Sequence, residues 1–346
     1  MAKAPQNTPS EPGVKHVNVA LQGGGAHGAF TWGVLDALLA DGRIKFEGIS
    51  GTSAGAMNAV CLADGMREGT QAARDQLKRF WRAISTDGAF SRRQRTYLDA
   101  WMSMFGGPMT GINWFGNLTN YFSPYQLNPF DLNPLRDVVE REIDFEAVRK
   151  TDHLKLFIAA TNVYTGKVRV FRREELTLDM VMASACLPTV YKSVMIDGEP
   201  YWDGGFGGNP VLYPFFAETE TLDIILIQVN PVERHQLPES SHDIMERMNE
   251  ITFNAPLLLE LRAIDFVGRL IDEGRLTGTH YKKIRMHRIE AHDELNKFGA
   301  DTKMNAEYDF LRRLRDIGRA AGERFLSDHY QDVGVRGTFN IRKEFA

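Results

Sequence analysis

The chain has 346 residues, 43% of them hydrophobic and 25% charged, a globular mix that leaves out disorder, collagen-like repeats and coiled coil. Lys and Arg number 41 against 45 Asp and Glu, a net charge of −4, which argues against bulk electrostatic capture of nucleic acid. The two cysteines, Cys61 and Cys186, cannot build a disulfide framework or a Cys-rich zinc site and suit a reducing compartment.

Met1 to Lys15 is rich in Pro, Ala and polar residues and lacks the apolar stretch of a signal peptide, so residues 1–15 are expected as a disordered tail. No run approaches the roughly 18 apolar residues that span a bilayer, and the expected address is the cytoplasm. Val17 to Leu21 is a short β-branched apolar run that stops at three glycines. From Ala26 apolar residues recur at helical spacing through Phe30, Val34, Leu35, Leu38 and Leu39, giving strand, glycine-rich turn and helix. Asp41-Gly42 closes that helix. Ile44 to Ile49 is a second strand, followed by a helix from Ala54 to about Ala63. Leu154 to Thr161, Val168 to Phe171 and Ile224 to Val229 read as strands, and Leu178 to Leu187 as a helix stopped by Pro188. Helices alternating with apolar strands predict an α/β fold with a mostly parallel sheet. Without repeats or a linker, residues 16–327 form one domain, with an insertion near 90–133 and a C-terminal tail over 328–346.

The insertion stands out by composition. From Tyr97 to Phe130 nine of 34 residues are aromatic and only Asp99 is charged, and Arg92, Arg93 and Arg95 precede it. Such a segment, Trp114 included, suits docking on a lipid surface, where rings bury apolar area at the headgroup boundary; packed core is the other reading. Near the C-terminus Met304, Tyr308, Leu311, Leu314 and Ile317 form an apolar stripe, with Arg312, Arg313, Arg315 and Arg319 as a solvated basic face.

Three motifs bear on chemistry. Gly51-Thr52-Ser53-Ala54-Gly55 fits G-x-S-x-G between a strand and a helix, the setting that exposes a serine hydroxyl on a sharp turn. Ser53 follows only about two strands, which argues against a standard α/β-hydrolase. His235, His242, His280, His287, His292 and His329 lie downstream without a distinctive motif and read as surface or core. Gly23-Gly24-Gly25-Ala26-His27-Gly28 satisfies G-x-G-x-x-G, with Glu47 about 20 residues on, so a dinucleotide site is one reading. An oxyanion hole built from glycine N–H groups is another. Trp202-Asp203-Gly204-Gly205 puts a carboxylate ahead of a stretch too rich in glycine for regular structure.

Taken together these motifs resemble those of the patatin-like phospholipases, in order and approximate spacing, over roughly residues 16 to 230. The stretch Ala183-Ser184-Ala185-Cys186-Leu187-Pro188 also resembles the family's A-S-x-x-x-P segment. The resemblance implies a three-layer α/β fold and a serine esterase of the phospholipase A or lipase type. Ser53 would be the nucleophile and Asp203 its base, forming a Ser/Asp dyad that works through an acyl-enzyme. The oxyanion hole would come from Gly23, Gly24, Gly25 and Ala54, supported by His27, Gly28, Gly51, Gly55, Gly204 and Gly205. The family often carries Arg or Lys where this chain has His27, whose ring is expected to be neutral at a helix start. No cofactor or metal is required. The expected partners are a lipid ester and a membrane or lipid-droplet surface met peripherally, with no nucleic acid. A dinucleotide-binding oxidoreductase and a non-catalytic lipid-surface protein are the alternatives.

Overall fold

A computed structural model describes residues 13–85, 123–128, 131–152, 154–235, 237–276, 281–298, 302–303 and 305–345. Residues 1–12, Met304 and most of the aromatic insertion, with Arg92, Arg93, Arg95 and Trp114, lie outside the described residues.

Strand β1 (Lys15–Leu21) passes through a 3-10 turn (Gly25–His27) into helix α1 (Gly28–Asp41), which ends where Gly42 adopts φ 76°. Strand β2 (Ile44–Gly51), helix α2 (Ala54–Met66) and helix α3 (Thr70–Ala83) follow. Next come α4 (Pro124–Leu127), α5 (Pro134–Glu142), α6 (Phe145–Arg149), β3 (Lys155–Asn162) and β4 (Val168–Arg172). Helix α7 (Leu178–Ser184) ends three residues earlier than expected, because the chain turns from Ala185 so that the Cys186 carbonyl can accept the Asp203 N–H at 2.8 Å. Strands β5 (Val194–Ile196) and β6 (Glu199–Asp203) form a hairpin across Asp197-Gly198, both at positive φ, the geometry that a D-G turn supplies. The described chain closes with α8 (Tyr213–Glu218), β7 (Asp223–Ile227), α9 (Ser241–Asp272), β8 (Arg285–Ile289), α10 (His292–Leu295) and α11 (Tyr308–His329).

The eight strands make one sheet in the order β5-β6-β3-β2-β1-β7-β8, with β4 also paired to β3. The run β3-β2-β1-β7-β8 is parallel, and the antiparallel pairs gather at the β3 end. Side chains alternate across the strands and so divide the core in two. Val17, Val19 and Leu21 of β1 with Ile225 and Ile227 of β7 join one cluster, which contains α1, α2, α3 and α11. Ala20, Ile224 and Leu226 join the other, beneath α8 and α9. The result is a sheet between two helical layers.

Helix α1 is buried from Gly28 through Leu39, apolar nearly all round because the sheet covers one side and α11 the other. The α1–α11 crossing is almost backbone to backbone. A Cβ on Gly33 would lie 1.9 Å from the Arg315 carbonyl, and one on Gly318 would lie 2.0 Å from that of Phe30. Within residues 328–346, set apart in the sequence as a tail, several of the described residues pack onto the domain. Tyr330 and Val333 are buried, Phe339, Ile341 and Phe345 cover the second cluster, and the N–H groups of Thr338 and Phe339 donate to the Met286 carbonyl of edge strand β8. No helix among the described residues is long and apolar enough to cross a membrane.

Candidate active site

Parallel pairing of β1 with β2 sets Leu21 opposite Gly51, so the glycine-rich loop and the G-x-S-x-G turn leave the sheet side by side. Gly51 also pairs with Ile158 of β3, and two residues further along β3 Ala160 pairs with Asp203. Two residues beyond Gly51 comes Ser53. Register alone therefore brings the ends of three strands, with serine and carboxylate at the same height, to one edge of the sheet.

Ser53 has φ 54° and ψ −121°, a conformation that costs an L-residue on the order of 1–3 kcal/mol. Its surroundings hold it there. The Gly55 N–H donates to the Thr52 carbonyl at 2.8 Å, the Thr52 hydroxyl donates to the Gly208 carbonyl at 2.8 Å, and the Ser53 N–H donates to Ser184 Oγ at 3.0 Å. Gly55 is needed because a Cβ there would lie 2.2 Å from the Leu21 carbonyl oxygen. Gly28, Gly51 and Gly204 are likewise contact points: their Cβ atoms would meet Ala54 Cβ at 2.6 Å, the Gly55 oxygen at 2.6 Å and the Ala159 oxygen at 2.2 Å.

Asp203 ends β6 and is 1% exposed. Its Oδ1 accepts the Gly205 N–H at 2.7 Å, while Oδ2 is buried with no hydrogen-bond partner. Burial pushes the carboxyl up to about 7, with the Gly205 N–H and the Ser53 side chain pulling the other way. The Ser53 side chain therefore stands beside the carboxyl as a hydrogen-bonding neighbour, while Oδ2 itself has no partner. An ordinary aspartate is a weak base at neutral pH, but one held near 7 is matched to that task.

The glycine loop is fixed by residues far away in sequence. Gln22 accepts the Val229 and Asn230 N–H groups at 2.9 and 2.8 Å, and Asn230 Nδ2 donates to the Gly23 carbonyl at 2.6 Å. One expectation needs correcting here. The Gly23 N–H donates to Asn209 Oδ1 at 2.7 Å, so Gly23 holds the loop in place and has no donor left for an oxyanion. The N–H groups of Gly24, Gly25 and Ala54 have no such acceptor among the described residues. Gly25, at φ 58°, and Ala54 line the same cleft as Ser53, a cavity of about 160 Å³.

That cleft is walled by apolar side chains from four helices, Met57 of α2, Phe80 and Trp81 of α3, Leu135 of α5 and Leu311 of α11 among them. Lys303 also lines it, its Nζ donating to Asn230 Oδ1 at 3.0 Å. Sequence reasoning missed Lys303, which lies 250 residues from Ser53 outside any motif. Ser184 stands inside the A-S-x-x-x-P segment and Asn209 in the glycine-rich stretch after Asp203, but their bonding could not be read from either. His27 is buried with Nε2 3.0 Å from Thr302 Oγ1. Burial, then the charges of Lys303 and Arg234, lower its pKa to about 3, so the ring is neutral chiefly because it is buried and not because of a helix dipole.

The competing readings find their residues engaged elsewhere. Glu47, the candidate ribose ligand, accepts the Glu220 and Thr221 N–H groups at 2.6 and 2.8 Å and pairs with Lys155. Among the described residues no histidine lines the Ser53 cleft, and His287 lies 3.0 Å from Asp223 at the opposite edge of the sheet. No group of three or more His, Cys, Asp or Glu among the described residues is placed to hold a metal.

Turn, carboxylate and glycine loop together make an arrangement suited to acyl transfer on an α/β scaffold. The family model described as patatin-like phospholipase matches residues 19–216, which take in all three, and the chain belongs to that family of lipid hydrolases. The chain is 24% identical to "Uncharacterized protein YjjU" of Escherichia coli (strain K12) over 241 residues, which are 67% of this chain and 56% of that protein. It therefore spans little more than half of that relative. VipD from Legionella pneumophila is similar at 17% identity and TM-score 0.38, covering 87% of this chain and 67% of that one. The type III effector protein ExoU is similar at 16% identity and TM-score 0.34, covering 94% and 55%.

Proposed function

We propose that the chain is a serine hydrolase that cleaves carboxylic esters of lipids through Ser53 and Asp203. The observation that carries this is a serine strained at a strand–helix turn beside a buried aspartate whose second oxygen has no partner. Asp203 takes the hydroxyl proton as Ser53 Oγ attacks the ester carbonyl. The carbonyl oxygen gathers the negative charge against the N–H groups of Gly24, Gly25 and Ala54, a contribution worth about 2.7–4 kcal/mol per donor in other enzymes. The C–O bond breaks, the alcohol leaves with the proton from Asp203, and an acyl-serine remains. Water then attacks that ester, Asp203 takes its proton, and the acid departs as Ser53 is restored. An ester suits so modest a base because an alkoxide leaves more readily than an amine. The apolar cleft fits an acyl chain, and the protein would act peripherally on a lipid surface in the cytoplasm.

A fluorophosphonate should label Ser53 in the wild type and leave Ser53→Ala unlabelled, with p-nitrophenyl ester turnover falling in parallel. Undiminished turnover by folded Ser53→Ala would overturn the assignment.

A further inference from the structure

Helices α3 and α11 each have two working faces. One pair of faces, with Phe80, Trp81 and Leu311, walls the Ser53 cleft. The adjoining pair of faces borders a second, larger cavity of about 580 Å³ floored by Trp32 and Asp36 of α1. Arg74, Lys78 and Arg82 enter it from α3, at helical spacing, and Arg312, Arg315 and Arg319 from α11. The basic face of α11 is therefore not simply solvated: three of its arginines meet three cations of another helix.

Six cationic side chains line this cavity and only two carboxylates do, Asp36 and Asp75, in a chain whose net charge is −4. Asp36 is already engaged, accepting Arg74 Nε at 2.6 Å and pairing with Arg319. Asp75 Oδ2 accepts from Gln71 Nε2 at 3.2 Å. Arg82 and Arg315 lie over the rings of Tyr308 and Trp32, 5.7 and 5.3 Å from their centroids, which orients their guanidinium groups. Among the described residues Lys78 and Arg82 pair with no carboxylate. Arg312, Arg315 and Arg319 also pair along their own helix with Asp309, Asp316 and Glu323, which leaves Lys78 and Arg82 to face the positive charge of their neighbours without a carboxylate, a repulsive arrangement. A bound polyanion would reverse the sign of that interaction.

We propose that this cavity binds a multiply charged phosphate group, a phosphomonoester or diphosphate, whether on a lipid headgroup or on a soluble molecule. Guanidinium forks on two facing helices can each grip phosphate oxygens in pairs, and Lys78 adds a point charge. The volume lies within the range of small-molecule sites. The proposal does not rest on the hydrolytic reading, since the cavity contains neither Ser53 nor Asp203.

Pyrophosphate titrated calorimetrically into the full chain at low salt is the first arm. The comparison is with Lys78→Gln/Arg312→Gln and with a charge-matched control on exposed residues elsewhere, Lys150→Gln/Arg336→Gln. Wild type, control and Ser53→Ala should bind alike, and the cavity variant should bind at least about tenfold more weakly, as expected when two charged contacts are lost. The second arm is flotation with phosphatidylcholine vesicles, with and without phosphatidic acid at a nine-to-one ratio. Phosphatidic-acid-dependent flotation that pyrophosphate competes away assigns the site to a headgroup, whereas pyrophosphate binding without flotation assigns it to a soluble phosphate. No pyrophosphate binding by the wild type, or equal binding by the cavity variant when its melting temperature matches the control, would overturn the proposal.

Discussion

Two aspartates, each 1% exposed, sit at opposite edges of the same sheet and illustrate how position decides chemistry. Asp203, at the edge where β1 and β2 end, has one N–H donor on Oδ1 and none on Oδ2, and burial raises its pKa to about 7. At the edge where β7 begins, Asp223 receives Arg285 on both oxygens, the Gly334 N–H at 2.9 Å and the His287 ring at 3.0 Å. Burial works to raise that carboxyl too, but these partners outweigh it and bring it down to about 2. Saturated with donors, Asp223 is a structural anion. Asp203 is left under-partnered, which destabilises the fold and leaves a carboxylate free to accept a proton. An Asp–His pair is present in this chain, yet away from the candidate nucleophile.

Removing each charge in turn separates the two roles most strongly. Asp203→Asn should lower kcat by about a thousandfold or more, while Asp223→Asn changes kcat only a few-fold. If Asp223→Asn proved as damaging to catalysis in a folded protein, the division into working and structural carboxylates would fail.

Stability should move the other way. Asp203 is protonated in the native state up to about pH 7, whereas its unfolded form ionises near 3.9, so its contribution is fully present below about pH 4 and is lost as pH rises through 7. Asp203→Asn should therefore be more stable than wild type at pH 8, by up to about 4 kcal/mol. Asp223, with its pKa lowered, contributes stability above about pH 4 that is lost as pH falls through 2, and Asp223→Asn should cost about 2–4 kcal/mol at neutral pH. Denaturant melts of both variants at two pH values would measure these differences.

In the pH profile, kcat/KM for a p-nitrophenyl ester should rise with a single acid limb near pH 7 as Asp203 ionises. A limb near 4 would mean that burial does not tune this base. The smallest effect is expected at His27, neutral at every working pH: His27→Gln should alter kcat only a few-fold in a steady-state assay.

Much of this site was legible in the sequence because it is local. Glycines 51 and 55 flank Ser53 as a strand turns into a helix, and the strand, glycine loop and helix at residues 15–41 follow from apolar period and glycine alone. Other elements carry local signals as well. Helix α3 has an apolar face at Ala73, Leu77, Phe80 and Trp81, and Asp197-Gly198 is a hairpin turn by composition. Helix α9 was harder, since Pro256 interrupts it and Met245, Met248 and Leu259 are exposed along its length.

The α/β alternation, the three motifs and the serine and aspartate within them are written locally in the chain, because strand and helix periods and turn chemistry act over a few residues. It takes the folded chain to show that Gly23 donates to Asn209 and not to an oxyanion, that Lys303 joins the cleft, that Asp203 is short of donors and Asp223 saturated with them, and that the basic stripes of α3 and α11 border one cavity. Each of these depends on which residues, often more than a hundred positions apart, are brought within hydrogen-bond reach and how much water is excluded around them. Partnering and desolvation set a buried group's chemistry, and neither is encoded in its neighbours along the chain.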